Sequence, residues 1–195
     1  DEERFEKAIT GSLSDLRALG GDGLFTAENT EANWSKASRI LKPSFSPVGV
    51  QKSFEQMYDV AEQLVLKWER HGPDAPIDVC DDMTRLTLDT IALCSFDYRF
   101  NSFYRDDMHP YVNAMVDSLD EALKKRQRLD IHNRMKFLTR RKFEANIAYM
   151  HRVADELIAA RKLDPERDQK QDLLARMLSA VDPITGEGLS DENIR

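Results

Sequence analysis

The sequence contains few cysteines and no long hydrophobic run. Its 195 residues include 2 cysteines, 7 prolines and 8 glycines. No apolar stretch approaches the roughly 20 residues that a membrane-spanning helix needs. The N-terminal residues "DEERFEK" do not have the pattern of a signal peptide. These absences exclude a membrane span and argue against secretion, so we expect a soluble protein of the cytoplasm.

Cys80 and Cys94 are separated by a stretch whose pattern is mostly helical. At about 1.5 Å per residue, that stretch places them on the order of 20 Å apart, whereas a disulfide needs Cα atoms within roughly 7 Å. We therefore expect two free thiols and a reducing compartment. The sequence has no C-x-x-C or H-E-x-x-H motif, and its four histidines are scattered, so no metal site is predicted.

An excess of positive charge is also absent. The chain has 28 lysines and arginines against 35 acidic residues, a formal net charge of -7. This balance argues against a nucleic-acid-binding protein, which is usually basic. No spacing of serine, histidine, acid or glycine residues predicts a catalytic set or a phosphate loop. Residue chemistry alone indicates a soluble all-α chain whose function stays open.

Hydrophobic periodicity predicts one helix after another along the chain. Thr30 is a candidate N-cap, and Ser46 followed by Pro47 is a typical helix start. We predict helices over residues 1–9, 13–19, 31–42, 47–71, 81–96, 110–125, 140–162 and 172–180, with one more beginning after Ser190. A helix at each end of the chain predicts that residues 1–195 form one partial domain, truncated at both ends.

Apolar stripes predict which helix faces are buried. Over 81–96 the stripe consists of Met83, Leu86, Thr90, Ile91 and Cys94. Over 110–125 it consists of Met115, Leu119 and Leu123. Before these helices, the loop "GDGLFT" at 21–26 carries two apolar side chains, Leu24 and Phe25, where loops normally face water. This apolar pair needs a partner that the local sequence does not supply.

Four stretches carry a resemblance to a known family: "GDGLFT", "LKPSFS" at 41–46, "WER" at 68–70, and the run "DMTRLTLDTIALCSFDYRFNSFYRDD" from Asp82. Together they resemble the haem domain of a cytochrome P-450. They are most similar to the bacterial fatty-acid hydroxylases that are fused to a diflavin reductase. The resemblance implies an all-α fold with little β structure, spanning helices B to H of that domain.

The resemblance also implies a function. The parent protein would bind haem b and hydroxylate medium- and long-chain fatty acids at sub-terminal carbons. Its electrons would come from NADPH through FAD and FMN in the reductase. The family's haem-ligating cysteine lies in a glycine-bearing loop that neither Cys80 nor Cys94 matches. We thus expect no catalytic residue here and an isolated chain without activity, and a non-catalytic helical scaffold is the alternative.

Site residues follow from the same resemblance. Phe25 would stand over the haem and limit how the substrate's end approaches iron, with Leu24 and Thr26 beside it. The expected fatty-acid channel is lined by Leu13, Leu16, Gly20, Leu119, Leu123 and Arg126. Arg126 stands where the relative has leucine and would receive a carboxylate at the channel mouth. For the apolar members of this set, the alternative is an ordinary helical core.

Two further groups are implied on and near the helix after residue 30. Trp34, Lys7 and Ser38 would donate hydrogen bonds to the haem propionates. The residues expected to form a basic surface for docking the acidic reductase are Lys36, Arg39 and Lys42. A plain solvated basic face is the alternative for this last group.

Overall fold

The computed structural model describes residues 7–128 and 137–195, except the side chains of Ser12, Arg126 and Gln127. The helices are α1 (Ser12–Gly20), α2 (Ala32–Leu41), α3 (Pro47–Gln51), α4 (Phe54–His71), α5 (Val79–Phe96), α6 (Pro110–Gln127), α7 (Phe137–Leu163), α8 (Leu173–Ser179) and α9 (Asp191–Ile194). Within these residues, strand pairing is limited to one isolated antiparallel bridge, Val181 with Gly188. The predicted all-α class is confirmed.

Helix ends follow local chemistry at several predicted places. The Ser46 hydroxyl accepts the Gly49 N–H at 3.1 Å, with Pro47 in the first turn of α3. Pro110 likewise opens α6, where Nδ1 of His109 accepts the Tyr111 N–H at 3.1 Å. None of the helices in the two described ranges is long and apolar enough to cross a bilayer.

Three expectations about helix boundaries need correction. The helix predicted over 47–71 is interrupted at Lys52 and Ser53, which separate α3 from α4. Thr30 does not cap α2; Glu31 is the N-cap residue, and its side chain makes no capping bond. The helix predicted over 1–9 lies mostly outside the described residues, and its described part, residues 7–9, is not helical.

The buried face of α5 is polar, which corrects the predicted apolar stripe. Ile91 of that stripe is 56% exposed. The buried residues of this helix are Asp82, Arg85, Asp89, Ala92 and Leu93. The reason lies in the following loop, whose backbone groups need hydrogen-bond partners and lie against this face.

Arg85 and Asp89 provide those partners for the segment "FNSFYRD". The Arg85 guanidinium donates to the carbonyls of Ser102 at 2.7 Å and Asp106 at 2.8 Å. The Asp89 carboxylate accepts the Ser102 N–H at 2.8 Å and its hydroxyl at 2.6 Å. Both charges are buried, and this network orders a loop that has no regular backbone pairing.

The main apolar core joins α6 to α7. Its buried members are Ala114, Ile147 and Met150, and its partly buried neighbours are Leu19, Tyr111, Met115, Phe143 and Tyr149. The buried residues along α6 are Val112, Ala114, Ser118 and Ala122. These short side chains let α7 approach closely. The prediction that Leu119 and Leu123 fill the core is wrong, because they lie 40% and 59% exposed on another face.

Helix α1 links this core to the loop at residues 21–31. Leu19 joins the α6–α7 core, and its carbonyl lies 2.7 Å from Nε2 of His151 on α7. At its other side, Arg17 forms two hydrogen bonds to Glu31, of 2.7 and 2.6 Å. Hydrogen bonds from Arg17 and from the Glu28 N–H lower the pKa of Glu31 to about 2. The ends of the loop are thus held to α1.

Removing the Asp89 carboxylate should destabilise the folded protein. Asp89→Ala leaves the buried Ser102 N–H and hydroxyl without an acceptor, which costs about 3 kcal/mol of unfolding free energy. The matched control is Asp59→Ala, whose partner Arg99 is also half-exposed, so that pair is worth about 1 kcal/mol or less. Urea titration of both variants measures this, and equal losses would contradict a central role for Asp89.

The Arg17–Glu31 pair should also make stability depend on pH. The pKa of Glu31 is lower in the folded state than its ordinary 4.5. Its contribution is therefore complete above about pH 4.5 and lost as the pH falls towards 2. We expect the urea midpoint of wild type to exceed that of Glu31→Gln at pH 6, with a gap that narrows as the pH falls through this window. A gap that stays constant would refute this linkage.

Candidate functional site

The loop carrying Leu24 and Phe25 is a tight turn that depends on glycine. Gly21 has a φ of +52°, a backbone conformation that residues with a side chain rarely adopt. A Cβ on Gly23 would lie 2.8 Å from the carbonyl oxygen of Gly20. The N–H of Ala27 donates to the Gly23 carbonyl at 2.8 Å, closing the turn.

This turn separates two kinds of side chain. Thr26 and Ala27 point into the protein and are 4% and 0% exposed, whereas Phe25 is 71% exposed and Leu24 37%. A large ring held outward on a well-bonded turn loses hydrophobic stabilisation unless another group covers it. The geometry therefore leaves Phe25 available to a ligand, as the resemblance implies.

Thr26 and Gly20 contact each other rather than open space. The Thr26 hydroxyl donates to the Gly21 carbonyl at 3.0 Å. A Cβ on Gly20 would lie 2.6 Å from Oγ1 of Thr26, so glycine is required for this fit. Thr26 therefore makes a turn-stabilising contact for which Gly20 leaves room, and its expected substrate contact stays a prediction.

The remaining predicted channel residues lie on α1 and α6, which pack against each other. Leu13 and Leu16 are half-buried on α1. Leu119 and Leu123, which the core does not use, are exposed on α6. Arg126 belongs to the same helix, but its side chain lies outside the described residues. The contact between α1 and α6 thus joins two helices from distant parts of the sequence.

Trp34 and Ser38 lie one helical turn apart on α2, and both are half-buried. Neither the indole N–H nor the hydroxyl donates to any residue of the described ranges. The Lys7 ammonium donates to the carbonyls of Leu24 at 2.8 Å and Ala27 at 2.6 Å, which leaves one of its three protons. An indole, a hydroxyl and an ammonium are a donor set that fits the carboxylates of haem propionates.

Two of the three predicted docking residues are paired with acids of the turn at residues 181–188. Arg39 forms a bidentate ion pair with Asp182, with N–O distances of 2.6 and 2.7 Å. Asp182 is fully buried, and its hydrogen bonds with Arg39 hold the pKa of its carboxyl well below the usual range. Lys36 lies 3.3 Å from Glu187, whereas Lys42 is exposed.

The sequence analysis did not find these acids. They lie more than a hundred residues from α2 in sequence, and a "VDPITGEG" segment is typical of an ordinary turn. The local signal is that two carboxylates, Asp182 and Glu187, lie in a turn whose other side chains are uncharged. The positive charge expected on α2 is therefore partly neutralised by its own chain.

The two cysteines lie on α5, Cys80 in its first turn and Cys94 in its last. Cys80 is exposed and Cys94 half-buried, both as free thiols. Burial raises the pKa of Cys94, and its Sγ lies 3.9 Å from the Ser53 carbonyl oxygen. In the described parts of the chain, no group of histidine, cysteine and acidic residues is arranged to hold a metal ion.

A cavity of about 460 Å³ lies between α1, the loop, α7 and α9. Its walls include Asp22, which accepts hydrogen bonds from the side-chain amides of Asn33 and Asn193. His151 and Arg195 also line it. The lining is mostly polar, which does not suit an acyl chain, although it includes Gly20 of the predicted channel.

Comparison with known proteins agrees with the resemblance. The bifunctional cytochrome P-450/NADPH–P-450 reductase 1 of Bacillus subtilis is 52% identical over 195 residues, and that of Bacillus cereus is 51% identical over 195. A self-sufficient cytochrome P-450 monooxygenase of Phanerodontia chrysosporium is 48% identical over 195. All of this chain is covered in each case, but it spans only 18% of the length of each relative.

The family model described as cytochrome P450 matches residues 2–195. Proteins of this family hold haem iron through a cysteine thiolate. The match extends over nearly the whole sequence, including the loop at 21–31, helix α2 and the turn at 181–188. The chain therefore belongs to the cytochrome P-450 family.

Proposed function

We propose that residues 1–195 are the substrate-channel part of the haem domain of a fatty-acid monooxygenase. The parent protein hydroxylates medium- and long-chain fatty acids at sub-terminal carbons, using O2 and electrons from NADPH. The observation that carries this proposal is Phe25, whose ring is 71% exposed on a tight, hydrogen-bonded turn. A fused reductase carrying FAD and FMN supplies the electrons, as the names of the bifunctional relatives suggest.

Haem, when bound, supplies oxidising chemistry that no amino-acid side chain performs. Trp34, Ser38 and the third proton of Lys7 hold the propionates by hydrogen bonds. Leu24 and Phe25 would cover the side of the haem on which the substrate lies. Because neither Cys80 nor Cys94 matches the glycine-bearing loop that holds the family's haem ligand, neither is assigned as the iron ligand, and the isolated chain has no activity.

The acyl chain binds along the apolar residues of α1 and α6. Leu13 and Leu16 form one wall, and Leu119 and Leu123 the other. Each methylene removed from water contributes about 0.8 kcal/mol to binding, so four exposed or half-exposed leucines provide a suitable surface. Arg126 receives the carboxylate at the channel mouth.

The free thiols and the absence of a spanning helix in the described ranges fit a protein of the cytoplasm.

Phe25→Ala should move oxidation towards the end of the acyl chain. Without the ring, the terminal methyl of the substrate approaches the iron more closely. The cost in stability should be about 1–2 kcal/mol, below the 3–5 kcal/mol of a fully packed phenylalanine, because one ring face has few partners. Product distribution from one saturated fatty acid and a urea titration measure the two effects in the complete haem domain.

The matched control for this test is Phe45→Ala, which removes a ring of similar exposure, 64%, from the segment after α2. Its products should equal those of wild type. If Phe25→Ala leaves the products unchanged and lowers stability by the amount typical of a core residue, Phe25 is a packing residue and the proposed site is wrong.

We also propose that the reductase docks on the face of α2 that carries Lys36, Arg39 and Lys42. Asp182 and Glu187 neutralise much of the charge of Arg39 and Lys36. The exposed Lys42 is therefore the main attraction for an acidic flavin domain. Electrostatic steering by such a residue acts over the Debye length and weakens with salt.

Lys42→Glu should slow electron transfer from a separately added reductase by about three- to tenfold at low salt. The difference should shrink at high ionic strength. Stopped-flow reduction of the haem measures these rates, with Lys124→Glu on α6 as a control of equal charge change. Equal rates for wild type and Lys42→Glu at low salt would mean that this face is only a solvated basic surface.

A further inference from the structure

The Lys7 side chain bridges the backbone on both sides of Phe25. Its ammonium donates to the carbonyl of Leu24, the preceding residue, at 2.8 Å. It also donates to the carbonyl of Ala27, two residues after Phe25, at 2.6 Å. One cation therefore spans the part of the loop from which the aromatic ring projects.

These two carbonyls have no backbone donor among the described residues. The other bonds of the turn are local and lie on its inner side: the N–H groups of Thr26 and Ala27 both donate to Gly23. Arg17 reaches the Thr26 carbonyl only at 3.5 Å. Lys7 thus makes the short, charge-assisted contacts on the Phe25 side of the turn.

The site of Lys7 is partly buried, which strengthens these bonds. Desolvation lowers the pKa of Lys7, and the nearby Glu31 acts in the opposite direction. If the Lys7 ammonium moved away, both hydrogen bonds would be lost and the two carbonyls would be left without a donor. The contacts cross 17 and 20 residues of sequence, so they tie the segment before α1 to the loop after it.

We propose that Lys7 is a positioning residue that sets the direction of the Phe25 ring and thereby restricts where the substrate is oxidised. This proposal rests on the proposed function of Phe25. It differs from the propionate contact expected of Lys7, because it uses the two protons already bonded to the loop rather than the third. The residue acts through the backbone and does not touch the substrate.

The first test measures amide hydrogen exchange of the full-length protein by mass spectrometry. Lys7→Met should increase exchange in the peptide spanning residues 23–27 by about fivefold or more, because local opening becomes easier. Lys7→Arg, which keeps charged N–H donors, should restore most of the protection. Lys142→Met, which removes an exposed lysine paired with Asp117, should change nothing in this peptide. Unchanged exchange in Lys7→Met would overturn the proposal.

The second test is a double-mutant cycle on product distribution from one saturated fatty acid. Lys7→Met should shift products part of the way towards those of Phe25→Ala, and should add no further shift in the Phe25→Ala background. A shift of equal size in both backgrounds would assign Lys7 to the haem propionates and overturn the positioning role. A normal haem absorption spectrum and thermal midpoint establish that each variant is folded.

The two tests distinguish this proposal from the function on which it rests. If Phe25→Ala leaves the products unchanged while Lys7→Met still loosens residues 23–27, the substrate role of Phe25 is refuted and the backbone tie remains. If Phe25→Ala shifts the products but Lys7→Met changes neither exchange nor products, the function stands and the positioning role is refuted.

Discussion

Backbone carbonyls in irregular segments need hydrogen-bond donors, and cationic side chains supply many of them in this protein. Arg85 donates to backbone carbonyls of the loop after α5, and Lys7 donates to those of the loop before α2. Arg176 donates to the Ile40 carbonyl at 2.5 Å, and Arg161 to that of Phe96 at 3.0 Å. In the described parts of the chain, strand pairing is limited to one bridge, so these loop carbonyls depend on long charged side chains for donors.

This constraint explains how the candidate site exposes an aromatic ring without losing order. In the loop before α2, tight glycine turns and hydrogen bonds from Lys7 and Arg17 hold the backbone. Phe25 therefore does not need to be buried to be held in place. Leu119 and Leu123 are exposed for a similar reason, because α6 buries the small residues Ala114, Ser118 and Ala122 instead. Packing by other residues thus leaves these apolar side chains exposed.

Ion pairs within the chain also reduce the net positive charge of the α2 surface. Lysine and arginine near one another in sequence suggest a basic patch, but the fold brings the carboxylates of Asp182 and Glu187 to them. The Arg39–Asp182 pair, whose acid is fully buried, joins the turn at 181–188 to α2. Its first role is therefore structural. Net surface charge is a property of the folded chain rather than of one helix.

Local sequence determined where most helices begin and end, because caps and prolines act within one turn: Ser46 and Pro110 are at the predicted places. It also determined the tight glycine turn at residues 21–27, because these bonds join residues close in sequence. Tertiary structure alone decided that α5 buries Asp82, Arg85 and Asp89, that Leu119 stays exposed, and that Arg39 meets Asp182. Each of these outcomes depends on hydrogen-bond partners or packing surfaces far away in sequence, which no periodicity within a single helix records.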